Sequence, residues 1–449
     1  MNVIAIYDIG KTNKKVFLFN ENYQIVWEKS VQFKEIEDED GFPCEDVDLL
    51  KNWILEEFTA IKQLKQYVLK AINFSTYGAS FVYVDEEGIP LTPLYNYLKE
   101  YPVELKNQFY DKYKGEEAFA VKTASPVLGS LNSGMQIYRI KEESPVLFEK
   151  VKYCLNLPQY LSSLFSKEYF TDITSIGCHT NLWNFNKNKY HKWLKKENIL
   201  DKIAPLHYGQ HIVEDENGLA IGAGLHDSSS AMIPYTISFK EPFVLLSTGT
   251  WSISLNPFND QRLTFEELQN DCLCYMQYTE QPVKAARLFS GHEHEIQVER
   301  LALHFNQPLD SFKTVVYDKV IIDELRKKTN TLAEVDVVVL LKESAFAKRR
   351  LSDFDSYETG YHQLIMDLVD QQVVSTNMVI HNSPVMKLFV DGGFSKNNIF
   401  MNLLADVYPE LEVYAASMAQ ASALGAALAI HDNWNSKPVK ENLIDLKRY

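Results

Sequence analysis

Three short stretches set small residues beside groups able to hold an anion. Asp8-Ile9-Gly10-Lys11-Thr12-Asn13-Lys14-Lys15 offers a glycine, a hydroxyl and three lysines. Backbone N–H groups in such a turn can approach a phosphate closely. Asp8 ends an apolar run and is a carboxylate suited to Mg²⁺, usually through water. Ser247-Thr248-Gly249-Thr250 repeats the small polar turn after another apolar run. Asp391-Gly392-Gly393-Phe394-Ser395-Lys396-Asn397-Asn398 puts paired glycines where a flat base or ribose can lie against the backbone. Each stretch alone also reads as an ordinary turn, capped by Asp or needing one residue with positive φ. The first two, facing one another across a cleft, would clamp a phosphate chain from both sides.

A fourth stretch could move a proton. Gly222-Ala223-Gly224-Leu225-His226-Asp227-Ser228-Ser229-Ser230 leads into a helical pattern. Phosphoryl transfer to a hydroxyl needs an acceptor for its proton and a metal to spread the phosphate charge. Asp227, at a helix start on the rim of a cleft, is the candidate base, and a helix N-cap is its alternative. Gly291-His292-Glu293-His294-Glu295 resembles a metal motif but has Ile296 where a second spaced histidine would be needed. On a helix, positions 292 and 294 face different ways, so a polar loop or helix start is expected. Cys272-x-Cys274 is likewise not expected to bind metal.

These residues sit in a pattern that occurs twice. Val3 to Tyr7 is an apolar run fit for a buried strand, the first polar turn follows, and Val16–Phe19 and Gln24–Trp27 complete a meander. Val47, Leu50, Ile54, Phe58, Ile61 and Leu64 then recur at helical spacing before a strand over Ala71 to Phe74 and the turn Ser75-Thr76-Tyr77-Gly78. The second half repeats this with Phe243–Leu246, Ser252–Leu255, a helix through Leu364, Ile365, Leu368, Val369 and Val373, and a strand over Lys387 to Val390. The repeat predicts two similar α/β units separated by a cleft, each with a mixed sheet of about five strands. The boundary is placed between 236 and 237, giving a unit over 1–236 that carries the candidate base and one over 237–449 that carries the paired glycines. Residues 90–220, rich in Tyr, Asn and Trp, read as an insertion in the first unit. Ala419 to Ala429 is Ala-rich and includes Gly425, as close helix packing or a nearby ligand would require.

Composition narrows the partners. The chain has 449 residues, 46% of them hydrophobic and 23% charged, with a formal net charge of -15. Such a charge repels phosphate backbones and anionic lipid, so neither nucleic acid nor membrane is expected as the main partner. A nucleotide is still admissible, since a few cations and backbone amides hold it. The N-terminus lacks a basic region followed by a long apolar run, and five cysteines are scattered without a pair of CxxC motifs. A reduced, cytoplasmic protein is the expectation.

Taken together, Asp8-Ile9-Gly10-Lys11-Thr12-Asn13, Ser247-Thr248-Gly249-Thr250-Trp251-Ser252 and Val390 through Asn398 resemble the phosphate and adenosine motifs of the FGGY carbohydrate kinases. Leu157-Pro158-Gln159-Tyr160 through Thr171-Asp172-Ile173-Thr174-Ser175 is similar to the segment ahead of that family's sugar site, and His226-Asp227 to its base motif in rhamnulokinases. The resemblance implies two duplicated actin-like, ribonuclease H-like ATPase domains. It implies ATP and Mg²⁺ as cofactors, with Asp8 toward the metal and Gly10, Lys11, Thr12, Asn13, Gly249, Thr250, Gly392, Gly393 and Asn397 toward the nucleotide. Gly78, His226 and Ser228 would lie by the sugar, and Asp227 would be the base. Lys11 stands where many members have a small hydroxyl residue. Tyr95-Asn96-Tyr97-Leu98 stands where rhamnulokinases carry an Arg-Asp pair. The expected reaction is transfer of the γ-phosphate of ATP to a small-molecule sugar. A deoxyketose such as L-rhamnulose or L-fuculose is the first choice, a xylulose-type ketopentose the next, and a non-sugar ATPase of the actin and chaperone superfamily the alternative class. A homodimer is allowed for.

Overall fold

The computed structural model describes residues 1–328, 341, 344–418, 420–440 and 443–449. The first half opens with strands β1 (Asn2–Ile9), β2 (Lys14–Asn20) and β3 (Ile25–Val31), then helix α1 (Val47–Lys62) and strand β4 (Val68–Thr76). Asp46 caps α1, its Oδ1 accepting from the Leu49 N–H at 2.9 Å. Much further on come β5 (Ile212–Glu214), β6 (Ala220–Gly222), β7 (Leu225–His226) and α2 (Asp227–Ser238). The sheet order is β5-β6-β4-β1-β2-β3, with β7 also paired to β4.

The second half builds β8 (Phe243–Thr248), β9 (Ser252–Asn256), β10 (Cys272–Met276), β11 (Pro282–Leu288), α3 (Ser290–Phe305), α4 (Tyr357–Ile380), β12 (Lys387–Gly392), α5 (Asn398–Val407), β13 (Glu412–Ser417), α6 (Ala421–Ala429) and β14 (Asp445–Arg448). Its order is β10-β11-β9-β8-β12-β13-β14. The duplication is visible in the pairing. β1 runs antiparallel to β2 and parallel to β4, while β8 runs antiparallel to β9 and parallel to β12. The expectation of about five strands falls short, because each sheet has seven. A shared pattern is extended by β5 and β7 in one sheet and by the edge strands β10 and β14 in the other.

β1 and β8 lie inside their sheets, which is why Val3–Ile6 and Phe243–Leu246 are apolar at every position rather than alternating. α1 covers one face of the first sheet through Val47, Leu50 and Ile54. The other face is covered from the far end of the chain: Ala423, Ala426, Ala427 and Ile430 pack on Ile4, Ile6, Phe17 and Ala71. The Asn73 side chain also donates to the Ala426 carbonyl at 2.8 Å. In the second sheet, α3, α4 and α5 supply one layer, and Met232 and Tyr235 of α2 enter the opposite layer. α2 and α6 therefore meet between the two sheets. A Cβ on Gly425 would lie 1.8 Å from the Ser230 carbonyl oxygen, and the Ser230 hydroxyl donates to the Ser422 carbonyl at 2.7 Å. Close packing accounts for the Ala-rich stretch, of which Ala419 lies outside the described residues. Among the described residues, no helix is long and apolar enough to cross a membrane.

Candidate active site

Strand register brings the site together. Asp8 pairs with Ser75, Leu225 with Ser75 and His226 with Thr76, so β1, β4 and β7 end side by side. Ser247 pairs with Asp391 and Thr248 with Gly392 at the matching edge of the second sheet. Ligands of open α/β sheets gather outside the carboxyl ends of parallel strands, and every expected site stretch lies at such an end or just beyond it.

The first turn closes with the Gly10 N–H donating to the Asn13 carbonyl at 2.9 Å, leaving Thr12 and Asn13 exposed. The three lysines divide. Lys11 Nζ is 2.8 Å from Glu35 and 3.3 Å from Glu45, Lys14 Nζ is buried 2.8 Å from Glu45, and Lys15 reaches Gln420 at 3.5 Å. In the second turn the Gly249 N–H donates to the Trp251 carbonyl at 2.9 Å, and Thr250 is exposed. Gly291 lies against this turn: a Cβ there would fall 1.9 Å from the Gly249 carbonyl oxygen. The stretch that resembles a metal motif is therefore the first turn of α3, laid against a candidate phosphate loop. Its His294 donates to or accepts from Tyr361 at 3.1 Å, and burial holds its pKa down to about 4.

Thr248 joins the second turn to the third. Its hydroxyl donates to the Asp391 carbonyl at 2.5 Å and accepts from the Phe394 N–H at 3.0 Å, while its carbonyl accepts from the Gly393 N–H at 2.8 Å. Gly392 has φ of +90° and a Cβ there would meet the Thr248 carbonyl oxygen at 1.9 Å, so only glycine fits. Asn397 caps α5, accepting from the Ile399 and Phe400 N–H groups at 3.0 and 3.2 Å, and donates to Tyr361 at 2.8 Å. Cys272 and Cys274 lie at alternate positions of β10, on one face, and both are buried in the second core.

On the other side, Gly78 leaves room for His226, whose Nε2 a Cβ would meet at 3.0 Å. The imidazole is buried, stacks on Tyr275 at 5.5 Å, and brings Nε2 within 3.1 Å of Cys178 Sγ and 3.3 Å of Asp227 Oδ1. Burial lowers the pKa of His226 against the opposing charge of Asp227. Asp227 is the first residue of α2, with His226 in the capping position. Its Oδ1 accepts from the Ser228 hydroxyl at 3.2 Å and from the Ser228 N–H at 2.6 Å, which is the second N–H of the helix, so Asp227 serves one free N–H of the first turn from inside the helix rather than from the capping position. The Asp227 side chain is 36% exposed. Asp8 accepts from the Ser422 hydroxyl at 3.1 Å on both oxygens, and its pKa is pushed up to about 6 by burial and then by the charge of Asp227. Two carboxylates thus lie at the carboxyl ends of neighbouring strands, Asp8 within β1 and Asp227 directly after β7. Among the described residues no group of three or more side chains could hold a metal. Mg²⁺ needs no such cage, since one or two carboxylates and substrate phosphates commonly hold it. Sequence reasoning missed Cys178, Tyr275 and Ser422, and took Gly291 only as the start of a metal-like stretch and not as a neighbour of the Gly249 turn. Only Gly291, a glycine directly before a helical pattern, carried a local signal.

Comparison with known proteins bears on this arrangement. Residues 3–224 match the N-terminal domain model of the FGGY family of carbohydrate kinases. Residues 240–324 and 357–430 match two C-terminal domain models of the same family. A rhamnulokinase from Mannheimia succiniciproducens is 25% identical over 259 residues, covering 56% of this chain and 52% of that protein, about half its length. One from Oceanobacillus iheyensis is 21% identical over 483 residues, covering 98% and 97%. Among solved structures, a carbohydrate kinase from Novosphingobium aromaticivorans superposes with a TM-score of 0.79 at 20% identity, covering 99% of this chain and 93% of that one. A xylulose kinase from Lactobacillus acidophilus gives 0.79 at 15%, covering 100% and 94%.

Proposed function

Because the chain belongs to the FGGY family of carbohydrate kinases, with its two related actin-like, ribonuclease H-like domains, we propose that it transfers the γ-phosphate of ATP to a hydroxyl of a ketose. A deoxyketose such as L-rhamnulose or L-fuculose is the first choice. The observation that supports this reading is the convergence of Asp8 and Asp227 at the carboxyl ends of β1 and β7, both of which pair with β4.

In this reading the sugar lies over Gly78 beside His226, on the unit over 1–236. Asp227 accepts the hydroxyl proton as the oxygen bonds to the γ-phosphorus and the bond to ADP breaks. Ser228 holds Oδ1 by two hydrogen bonds and so fixes the carboxylate. Asp8 is the residue that would face Mg²⁺, which spreads the phosphate charge when bound. Thr12, Asn13 and Thr250 offer backbone and hydroxyl donors to the phosphates, Gly10 and Gly249 close the turns that present them, and Gly392, Gly393 and Asn397 border the adenosine on the unit over 237–449. An assay of ADP release across ketoses, polyols and no added sugar tests this. Strong stimulation by a deoxyketose is expected, with a xylulose-type ketopentose next. ATP hydrolysis indifferent to every sugar would instead favour a non-sugar ATPase.

A further inference from the structure

Gly78 is tied down through both of its chain neighbours. Before it, the Tyr77 N–H donates to the Ile9 carbonyl at 3.0 Å and the Tyr77 hydroxyl to Glu45 at 2.7 Å. After it comes Ala79, which is buried and has φ of +61°, a left-handed conformation that an L side chain disfavours. The Ala79 carbonyl accepts from Gln136 Nε2 at 2.8 Å, and the same nitrogen donates to the Ser130 carbonyl at 2.6 Å. Both partners are acceptors, so the amide nitrogen must be the end that faces them. Gln136 is itself buried, in the first turn of a helix over Ser133–Glu143. The start of that helix also fixes a second neighbour of His226. Asn132 Nδ2 donates to the His179 carbonyl at 2.8 Å and the Gly134 N–H to the Thr180 carbonyl at 2.8 Å, directly after Cys178, which lies against the imidazole. A Cβ on Gly78 would fall 2.8 Å from His226 Cδ2 and 3.3 Å from Cys178 Sγ.

We propose that Gln136 is a positioning residue of the acceptor site: by holding Ala79 left-handed it keeps Gly78 against His226, the neighbour of Asp227. This rests on the kinase reading above and adds a residue to it. Without the amide the Ala79 carbonyl loses this partner, and the residue can relax to right-handed or extended backbone. Gly78 then moves off the imidazole, and with it the edge on which the sugar lies. A glycine at position 79 needs no such hold, since it takes positive φ freely. Gln136 and Ala79 are therefore coupled in a way that packing of Gln136 alone would not produce.

The test uses the full chain as Gln136→Met and as the double variant with Ala79→Gly, with thermal melting to confirm that each folds. The first readout needs no substrate: the alkylation rate of each buried thiol by iodoacetamide, mapped by mass spectrometry. Gln136→Met should speed labelling of Cys178 roughly tenfold, the factor to which the preference against left-handed backbone corresponds. Cys44, Cys154, Cys272 and Cys274 should keep their rates. The second readout is kinetic. With the best ketose of the panel, Gln136→Met should raise the ketose KM roughly tenfold and leave KM for ATP within roughly twofold. The double variant should recover most of both changes. An equal rise at all the thiols, or a loss that Ala79→Gly does not reverse, makes Gln136 a packing residue and overturns the proposal. So does an unchanged Cys178 rate or an unchanged ketose KM. Failure of every sugar to stimulate ADP release strikes the kinase reading instead, and the Cys178 rates still decide whether Gln136 holds the loop.

Discussion

The Asp8 carboxylate receives the Ser422 hydroxyl on both oxygens at 3.1 Å, joining the end of the first strand to the start of the last long helix. The same carboxyl is pushed up to about 6 by burial and by the charge of Asp227. An unfolded chain releases this proton near about 3.9. Between that value and about 6 the folded protein holds a proton that the unfolded chain lacks, so Asp8 lowers stability as pH rises through this window. Asp8→Asn should therefore melt above wild type at about pH 8 and lose that advantage near about pH 4. Melting curves across pH check this. An Asn variant with a constant offset at all pH values would refute the coupling.

Asp227→Asn should leave melting and sugar affinity close to wild type while lowering turnover by about 10²–10⁴-fold. The amide can still accept from Ser228 but cannot take a proton. Calorimetry with the sugar and rapid-mix kinetics separate these effects, and near-normal turnover would remove Asp227 from the role of base.

The adjacent glycines should respond differently. Gly392→Ala puts a Cβ 1.9 Å from the Thr248 carbonyl oxygen at φ of +90°, so the turn must break and the melting temperature must fall. Gly393 has φ of -65° and its nearest neighbour would be 3.9 Å away, so the backbone tolerates a side chain there. Gly393→Trp should weaken ATP binding in calorimetry while sugar binding and melting hold. Unchanged ATP affinity would move the adenosine elsewhere.

Gly425→Ala should destabilise the protein by about 1–3 kcal/mol, because α2 and α6 must separate to admit the methyl group. The Ser230 carbonyl it would strike is backbone and cannot rotate away. A denaturant midpoint equal to wild type would show that the helix pair yields easily.

The fold was legible where burial sets the pattern. Val3–Ile6 and Phe243–Leu246 are continuous apolar runs because they lie inside their sheets, and that repeated signal carried the duplication. The edge strands β10 and β14 and the short β5 and β7 were not legible, since their pairing partners lie far off in sequence and their own periodicity is brief. The same holds at the site. Asp8, Gly249 and Gly392 announce themselves by following apolar runs. Tyr275 and Cys178 reach His226 only through tertiary packing, and no local pattern marks a residue that stacks on another from across the chain. Lys11 was visible as a departure, but its partners Glu35 and Glu45 decide where its charge goes.

The packing of α6 beneath the first sheet has a consequence for synthesis. A ribosome delivers β1, β2 and β4 long before Ala423 to Ile430, so the face formed by Ile4, Ile6, Phe17 and Ala71 stays uncovered through most of translation. The first half then cannot complete its own interior as it emerges, and nascent chains should need shielding by a holdase until the end of the message is read. A chain stopped before Ala421 should bind a hydrophobic dye that the full chain excludes, and a truncated chain that excludes it would show that the first half closes this face unaided.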